Sequence, residues 1–198
     1  MLAAVILSAG ASSRMGRPKA LLPYREGTFL EHLIDVTRHP RIAVTRIVLG
    51  AGAEDIQSAA KLDRSLIVVN SDWEKGQLSS ICAGIRSLEG ISTDGMVLCP
   101  VDHPLVSARL VSDLVERFYA ENKAIVVPTY DSRRGHPAIF SSALYAELLA
   151  APLDKGARAV VWAHAADVLE VPTDEEGVVL NINDPQMLHH VTEPGRNK

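Results

Sequence analysis

Unbroken apolar runs alternate along the chain with stretches whose apolar residues recur every three or four positions. Residues 2–7, 46–49, 66–70, 95–101 and 124–128 carry the runs, and a further one follows at 167–172. Runs this short, each closed by turn residues, predict strands buried on both faces, as in a parallel sheet. Between them the pattern predicts helices over 29–36, 53–61, 81–88, 107–122, 141–151 and 156–164. Thr28 and Glu31 have capping-box spacing ahead of a face made by Phe29, Leu30, Leu33, Ile34 and Val36. Leu110, Val111, Leu114, Val115 and Phe118 make one face of the 107–122 helix. Ala83 and Gly84 give the 81–88 helix a small-residue face, and a hairpin with a glycine turn at Gly135 fits 130–140. Strands alternating with helices predict an α/β fold, a three-layer α/β/α sandwich with a mostly parallel sheet. Residues 1–192 read as a single domain and 193–198 as a flexible tail.

Composition narrows the function. The chain has 198 residues, 47% of them hydrophobic, enough for a sizeable core in one domain. A net charge of −4 argues against a nucleic-acid partner, which needs a basic face. The apolar runs fall short of a membrane span, and the N-terminal run is short and lacks a basic flank, so a cytoplasmic protein is expected. Cys82 and Cys99 have no zinc spacing and read as buried, reduced thiols.

The cations gather instead in one loop. After the first run come Ser8, Ala9, Gly10, Ser12, Ser13, Arg14, Gly16, Arg17 and Lys19. Glycines let backbone approach a ligand closely, and successive N–H groups in such a loop form an anion-binding nest. The loop is not a P-loop, because Arg17 and Pro18 stand between Gly16 and Lys19 and Ala20 follows. On composition alone it fits an ordinary strand-to-helix connection with surface cations as well as it fits a polyphosphate cradle. Gly50-Ala51-Gly52 contains G-x-G, but Asp55 stands at the third glycine position of a dinucleotide fingerprint.

The block S-A-G-x-S-x-R-M-G-x-x-K-x-L-L-P, from Ser8 to Pro23, resembles the N-terminal signature of the MobA-like nucleotidyltransferases, and more narrowly their molybdenum cofactor cytidylyltransferase branch. The resemblance covers nearly the whole chain. It implies a Rossmann-like fold of the nucleotide-diphospho-sugar transferase type. It also implies an NTP held by Ser8, Ala9, Gly10 and Ser12, with Arg14 and Lys19 on its phosphates.

Later stretches carry further candidates. Gly76, Ser79 and Ser80 open a helix whose free N–H groups suit a ligand, though a plain capped helix explains them equally; the family has a similar stretch facing the base. Asp102 ends a buried run between Pro100 and Pro104, where a ligand of an open α/β sheet sits. It reads as a Mg²⁺ ligand or as a turn residue, and the resemblance favours the metal. The branch typically has D-Q-P-L here, where this chain has His103. Arg133, Arg134 and His136 suggest an anion or pterin site, and the family's R-G-H-P implies acceptor contacts by Arg134 and His136. Lys155 and Arg158 lie in a family-like K-G-A-R segment but fit solvated surface charges better. The ending Asn181-Ile182-Asn183-Asp184-Pro185 resembles one in which the second acidic or amide residue holds the metal. That residue is Asn183, with Asp184 beside it to compensate.

The expected chemistry is Mg²⁺-dependent nucleotidyl transfer from an NTP, with pyrophosphate leaving and Lys19, Arg14 and Asp102 as catalytic residues. By resemblance the acceptor is a molybdopterin. Ala9 favours CTP, because the guanylyl branch has a second glycine there that makes room for a purine. A sugar-phosphate or guanylyl nucleotidyltransferase is the alternative, as is a non-catalytic carrier that hands molybdopterin to a molybdenum hydroxylase.

Overall fold

The computed structural model describes residues 1–192, apart from the side chains of Arg14 and of residues 190–192. The strands in chain order are β1 (Leu2–Ser8), β2 (Pro23–Tyr24), β3 (Gly27–Thr28), β4 (Ile42–Leu49), β5 (Ile67–Val69), β6 (Gly95–Pro100), β7 (Ile125–Tyr130), β8 (Arg133–Arg134), β9 (Ala138–Ser141) and β10 (Val168–Pro172). The α-helices are α1 (Phe29–Val36), α2 (Ala53–Ala59), α3 (Gln77–Arg86), α4 (Ala108–Glu121), α5 (Tyr145–Ala150), α6 (Arg158–Ala163) and α7 (Pro185–Thr192).

All seven residues of β1 are buried, and the strand lies inside a sheet of order β10-β7-β9-β6-β1-β4-β5, with β8 paired to β7. β1 runs parallel to β4 and β6, β4 to β5, and β7 to β10. β9 is the antiparallel exception between β6 and β7. Side chains alternate across the strands. Leu2, Ile6, Ile47, Leu49, Val97 and Cys99 face a core shared with α1, α2 and α4. Ala3, Val5, Leu7, Val48, Met96 and Leu98 face a second core shared with α3, α5 and α6. Two cores on opposite faces of one sheet make the expected three layers. Gly84 lets α3 settle onto β1, since a Cβ there would stand 2.6 Å from Val5 Cγ1.

The capping box is present: Thr28 Oγ1 accepts from the Glu31 N–H, and Glu31 Oε2 accepts from the Thr28 N–H at 2.9 Å. Ser107 caps α4 by accepting from the Leu110 N–H, and Asn122 closes that helix in the left-handed region. Cys82 and Cys99 are free and buried, and burial pushes the Cys99 thiol up to about 12.

Several boundaries differ from the sequence pattern. β4 and α3 each begin four residues earlier than the apolar runs indicate. β5 is a three-residue edge strand, not a buried one, and Val69 is 64% exposed. The 141–151 and 156–164 segments shorten to α5 and α6 because their first turns are 3₁₀ or irregular. The hairpin after β7 turns at Asp131 and Ser132, both at positive φ, rather than at Gly135. α7 had no counterpart in the pattern. Residues 193–198, read as a tail, lie outside the described residues.

Gly135 has another use. A Cβ there would stand 2.3 Å from the Val178 carbonyl oxygen, and the neighbouring His136 N–H donates to that oxygen at 2.8 Å. Gly177 likewise sits against Leu105. The segment after β10 is thereby strapped to the hairpin and to the loop after β6, and the Ile182 N–H donates to the Asp102 carbonyl at 2.8 Å. Gly135→Ala is expected to cost about 1–3 kcal/mol of stability by overpacking, read as a lower urea midpoint. An unchanged midpoint would show that the strap yields freely.

Candidate active site

The loops after β1, β5 and β6 meet beyond the carboxyl ends of those parallel strands, where open α/β sheets bind ligands. They enclose a cleft of about 370 Å³. One wall is the loop after β1, with Ser8, Ala9, Gly10, Ser12 and Lys19 lining it. Two left-handed residues, Ser12 and Gly16, fold this loop into 3₁₀ turns at Ser13–Met15 and Lys19–Leu21. Ser12 holds the loop shut, because its Oγ accepts from the Lys19 N–H at 3.0 Å. The Ala51 N–H donates to the Ala9 carbonyl at 3.0 Å. A Cβ on Gly50 would stand 2.6 Å from both Ala9 O and Trp73 Cβ, so that glycine serves close packing; Gly52 supplies the left-handed residue that starts α2.

The charged centre joins residues far apart in sequence. Lys19 Nζ donates to Asn183 Oδ1 at 2.5 Å and lies 3.6 Å from Asp102 Oδ2. The lysine side chain is 13% exposed and the aspartate 26%. Asp102 sits just past β6, and Asn183 is brought to it by the bond between Ile182 N–H and the Asp102 carbonyl. Asp184 does other work: its Oδ1 accepts from the Met187 N–H at 2.9 Å and caps α7. Arg14 belongs to the 3₁₀ turn after β1, and its side chain lies outside the described residues.

The opposite lip is Trp73, Glu74, Gly76, Gln77 and Ser80. Gly76 takes φ 95°, which turns the chain from a 3₁₀ turn into α3. Ser80 lines the cleft, whereas Ser79 is not among its lining residues. The Ser79 Oγ accepts from Asn70 Nδ2 at 2.9 Å and lies within 2.9 Å of the Asp72 and Gly76 carbonyls. Asn70 also donates to Ser80 Oγ at 3.0 Å and accepts from the Asp72 N–H, so one buried amide sets the shape of this lip. Asn70, Trp73 and Gln77 were not singled out in the sequence. A polar residue at the end of an apolar run, followed by an aromatic in a charged loop, was the available signal.

On the far side of Asp102 the imidazoles of His103 and His136 pack with centroids 4.9 Å apart. Burial lowers the pKa of both, and the neighbouring His103 adds to the effect on His136, which falls to about 4. Asp102 opposes this in both rings, and the Val178 carbonyl opposes it for His103. Each ring keeps a solvent-shielded Nδ1 that has no partner among the described residues. Arg134 is not in the cleft. It is exposed on β8, and its Nε donates to Glu170 Oε1 at 2.8 Å across β7. Lys155 and Arg158 are exposed. The structure thus unites Ser8, Ala9, Gly10, Ser12, Lys19, Gly76, Ser80, Asp102 and Asn183 in one cleft, with His136 next to it through His103.

Residues 4–168 match the family model described as the MobA-like NTP transferase domain. The chain belongs to the MobA-like NTP transferase family. The match takes in the loop after β1, Asp102 and the hairpin, and ends before Asn183. Among relatives, a probable molybdenum cofactor guanylyltransferase of Mycobacterium avium is 30% identical over 189 residues, 92% of this chain and 90% of its own. A protein named nicotine blue oxidoreductase, from Paenarthrobacter nicotinovorans, is 36% identical over 146 residues, 71% of each chain. The solved structure of Rv0371c from Mycobacterium tuberculosis superposes with a TM-score of 0.81 at 28% identity, covering 96% of this chain and 98% of that one. A second structure of Rv0371c, complexed with manganese, gives 0.69 at 30% identity over 87% and 88%. This MobA-like chain therefore carries the mixed α/β, mostly parallel nucleotidyltransferase fold. Among the described residues no helix is long and apolar enough to cross a membrane.

Proposed function

We propose that the cleft transfers a nucleoside monophosphate from an NTP, with CTP favoured, to the phosphate of a molybdopterin-type acceptor. One observation carries the reading: Lys19 is held beside Asp102 and Asn183 at the mouth of a small-residue loop, beyond the ends of parallel strands. The acceptor phosphate attacks the α-phosphorus, the bond to the β-phosphate breaks, and pyrophosphate leaves. A phosphate monoester ionises a second time near pH ~6, so the attacking oxygen is already anionic and needs no general base. Negative charge spreads over the non-bridging and leaving oxygens, and Lys19 is placed to stabilise it without reorganisation. The loop N–H groups and the Ser12-locked turn orient the triphosphate. Arg14 is assigned to the phosphates by family resemblance.

Asp102 and Asn183 offer a carboxylate and an amide oxygen, hard donors that suit Mg²⁺. They already attract a cation, the Lys19 ammonium. Among the described residues no three His, Cys, Asp or Glu side chains gather into a metal cluster, so such an ion would complete its shell with water and substrate phosphate oxygens. When bound it supplies Lewis-acid stabilisation of phosphoryl charge. The manganese complex of the M. tuberculosis relative supports a divalent ion.

Ser80, Gly76 and Ala9 are assigned to the nucleotide, Ser79 to shaping that lip, and His136 with His103 to the acceptor side. Arg134, paired with Glu170 outside the cleft, is assigned to the acceptor by family resemblance alone. The relative named a guanylyltransferase makes GTP the competing donor. Ala9 is 6% exposed and lines the cleft, and the family resemblance, in which the guanylyl branch has glycine at this position, supports CTP. Ala9→Gly is expected to shift the CTP-to-GTP ratio of kcat/KM toward GTP by about 10-fold or more, the worth of one methyl-sized contact. Transfer of label from [α-³²P]CTP to the acceptor is the test. Label moving only from GTP would overturn the donor, and label moving only to sugar phosphates would overturn the acceptor. The Gly50–Gly52 turn is used for packing and helix initiation.

A further inference from the structure

The Lys19 ammonium stands where an oxygen-liganded metal would. Asn183 Oδ1 is 2.5 Å from Nζ and Asp102 Oδ2 is 3.6 Å away, and these are the two side chains assigned above to the divalent ion. The arrangement is built in. The Lys19 backbone is fixed by Ser12, Asn183 is fixed through Ile182 to the Asp102 carbonyl, and the lysine side chain is mostly shielded from water. A divalent ion held by the same two side chains would need the oxygens that the ammonium already uses. An ammonium hydrogen-bonded to the Asn183 oxygen and ion-paired with the Asp102 carboxylate both blocks that position and repels a second cation.

The geometry points to Lys19 as a resident counter-cation that closes the metal site in the nucleotide-free protein and opens it on moving to phosphate. The ammonium has three donors and exchanges an amide and a carboxylate oxygen for phosphate oxygens. Asp102 and Asn183 are then free for the metal, and the phosphates add the negative charge that lets both cations stay. Nucleotide and metal therefore bind with positive coupling, and the coupling is reciprocal. The identity of the displacing anion rests on the nucleotidyltransferase reading; the competition between Lys19 and metal does not.

The test accordingly omits nucleotide. Free Mn²⁺ is titrated against the protein and read by electron paramagnetic resonance. Lys19→Gln is expected to bind Mn²⁺ ~10-fold or more tightly than wild type, since it removes one charge-assisted competitor. Lys19→Arg keeps the cation and is expected to match wild type, and Lys19→Gln/Asp102→Asn to lose the gain. Unchanged or weaker Mn²⁺ binding by Lys19→Gln would overturn the inference, as would an equal gain in Lys19→Arg. The unsubstituted protein gives a second readout that does not depend on a variant folding. Acylation of Lys19 by an amine-reactive ester, followed by mass spectrometry, is expected to quicken as Mn²⁺ is added. A rate that Mn²⁺ leaves unchanged or slows would overturn it too. A protein that turned over no NTP yet passed both tests would refute the proposed function and leave this inference standing.

Discussion

Asp102→Ala is expected to abolish metal-dependent pyrophosphate release, a loss of ~10³-fold or more, with the fold intact. The carboxylate lies just past β6 at the cleft and stands beside Lys19, so its removal takes away the anionic half of the oxygen pair. The cost to folding is small. The pair is separated by 3.6 Å, and Asn183 still accepts from the Lys19 ammonium once the carboxylate is gone. The segment after β10 is held by backbone bonds that the substitution leaves in place, among them Ile182 N–H to the Asp102 carbonyl. Initial rates over a metal titration, with a thermal melt of the same sample, separate the two effects. Near-normal turnover would remove Asp102 from the chemistry; a collapsed melt would make it a structural residue.

Lys19→Ala is expected to lower kcat by ~10²–10³-fold, the usual consequence of deleting one preorganised donor from a developing anion. The loss falls mainly on kcat, because the ammonium is placed to stabilise charge that grows during the reaction. The metal dependence moves the other way. At nucleotide concentrations low enough that the nucleotide-free protein predominates, half-maximal activity is reached at lower metal concentration once the resident cation is gone, so a variant that is slower at saturation is easier to saturate. Steady-state rates at several metal concentrations show both effects. A lysine that only held the ground-state triphosphate would raise KM and leave kcat alone.

The sheet and the first wall of the site were legible because each depends on local chemistry. β1 is a buried strand because residues 2–7 offer nothing polar to turn toward water, and the loop after it is conspicuous because small residues and cations follow at once. Asp102 stood out for the same reason, as a charge at the end of an apolar strand. Features set by long-range packing were not legible. β5 reads as a buried strand, yet it has one neighbour and Val69 faces solvent. The Ser79 hydroxyl is claimed by Asn70 and two carbonyls, a result of how the loop before α3 folds back. Arg134 lies in a family-like R-G-H-P, but only the pairing of β10 with β7 reveals Glu170 beside it. The bond between Lys19 and Asn183 spans 164 positions of sequence, and no local pattern encodes it.

The most direct test of the central claim is pyrophosphate release from CTP, GTP, UTP and ATP with Mg²⁺, each with and without a molybdopterin acceptor. Release that requires both the metal and the acceptor, and is fastest with CTP, is the predicted result. Absence of release with every nucleotide, from a folded protein that still binds the acceptor, would contradict nucleotidyl transfer and leave a carrier in its place.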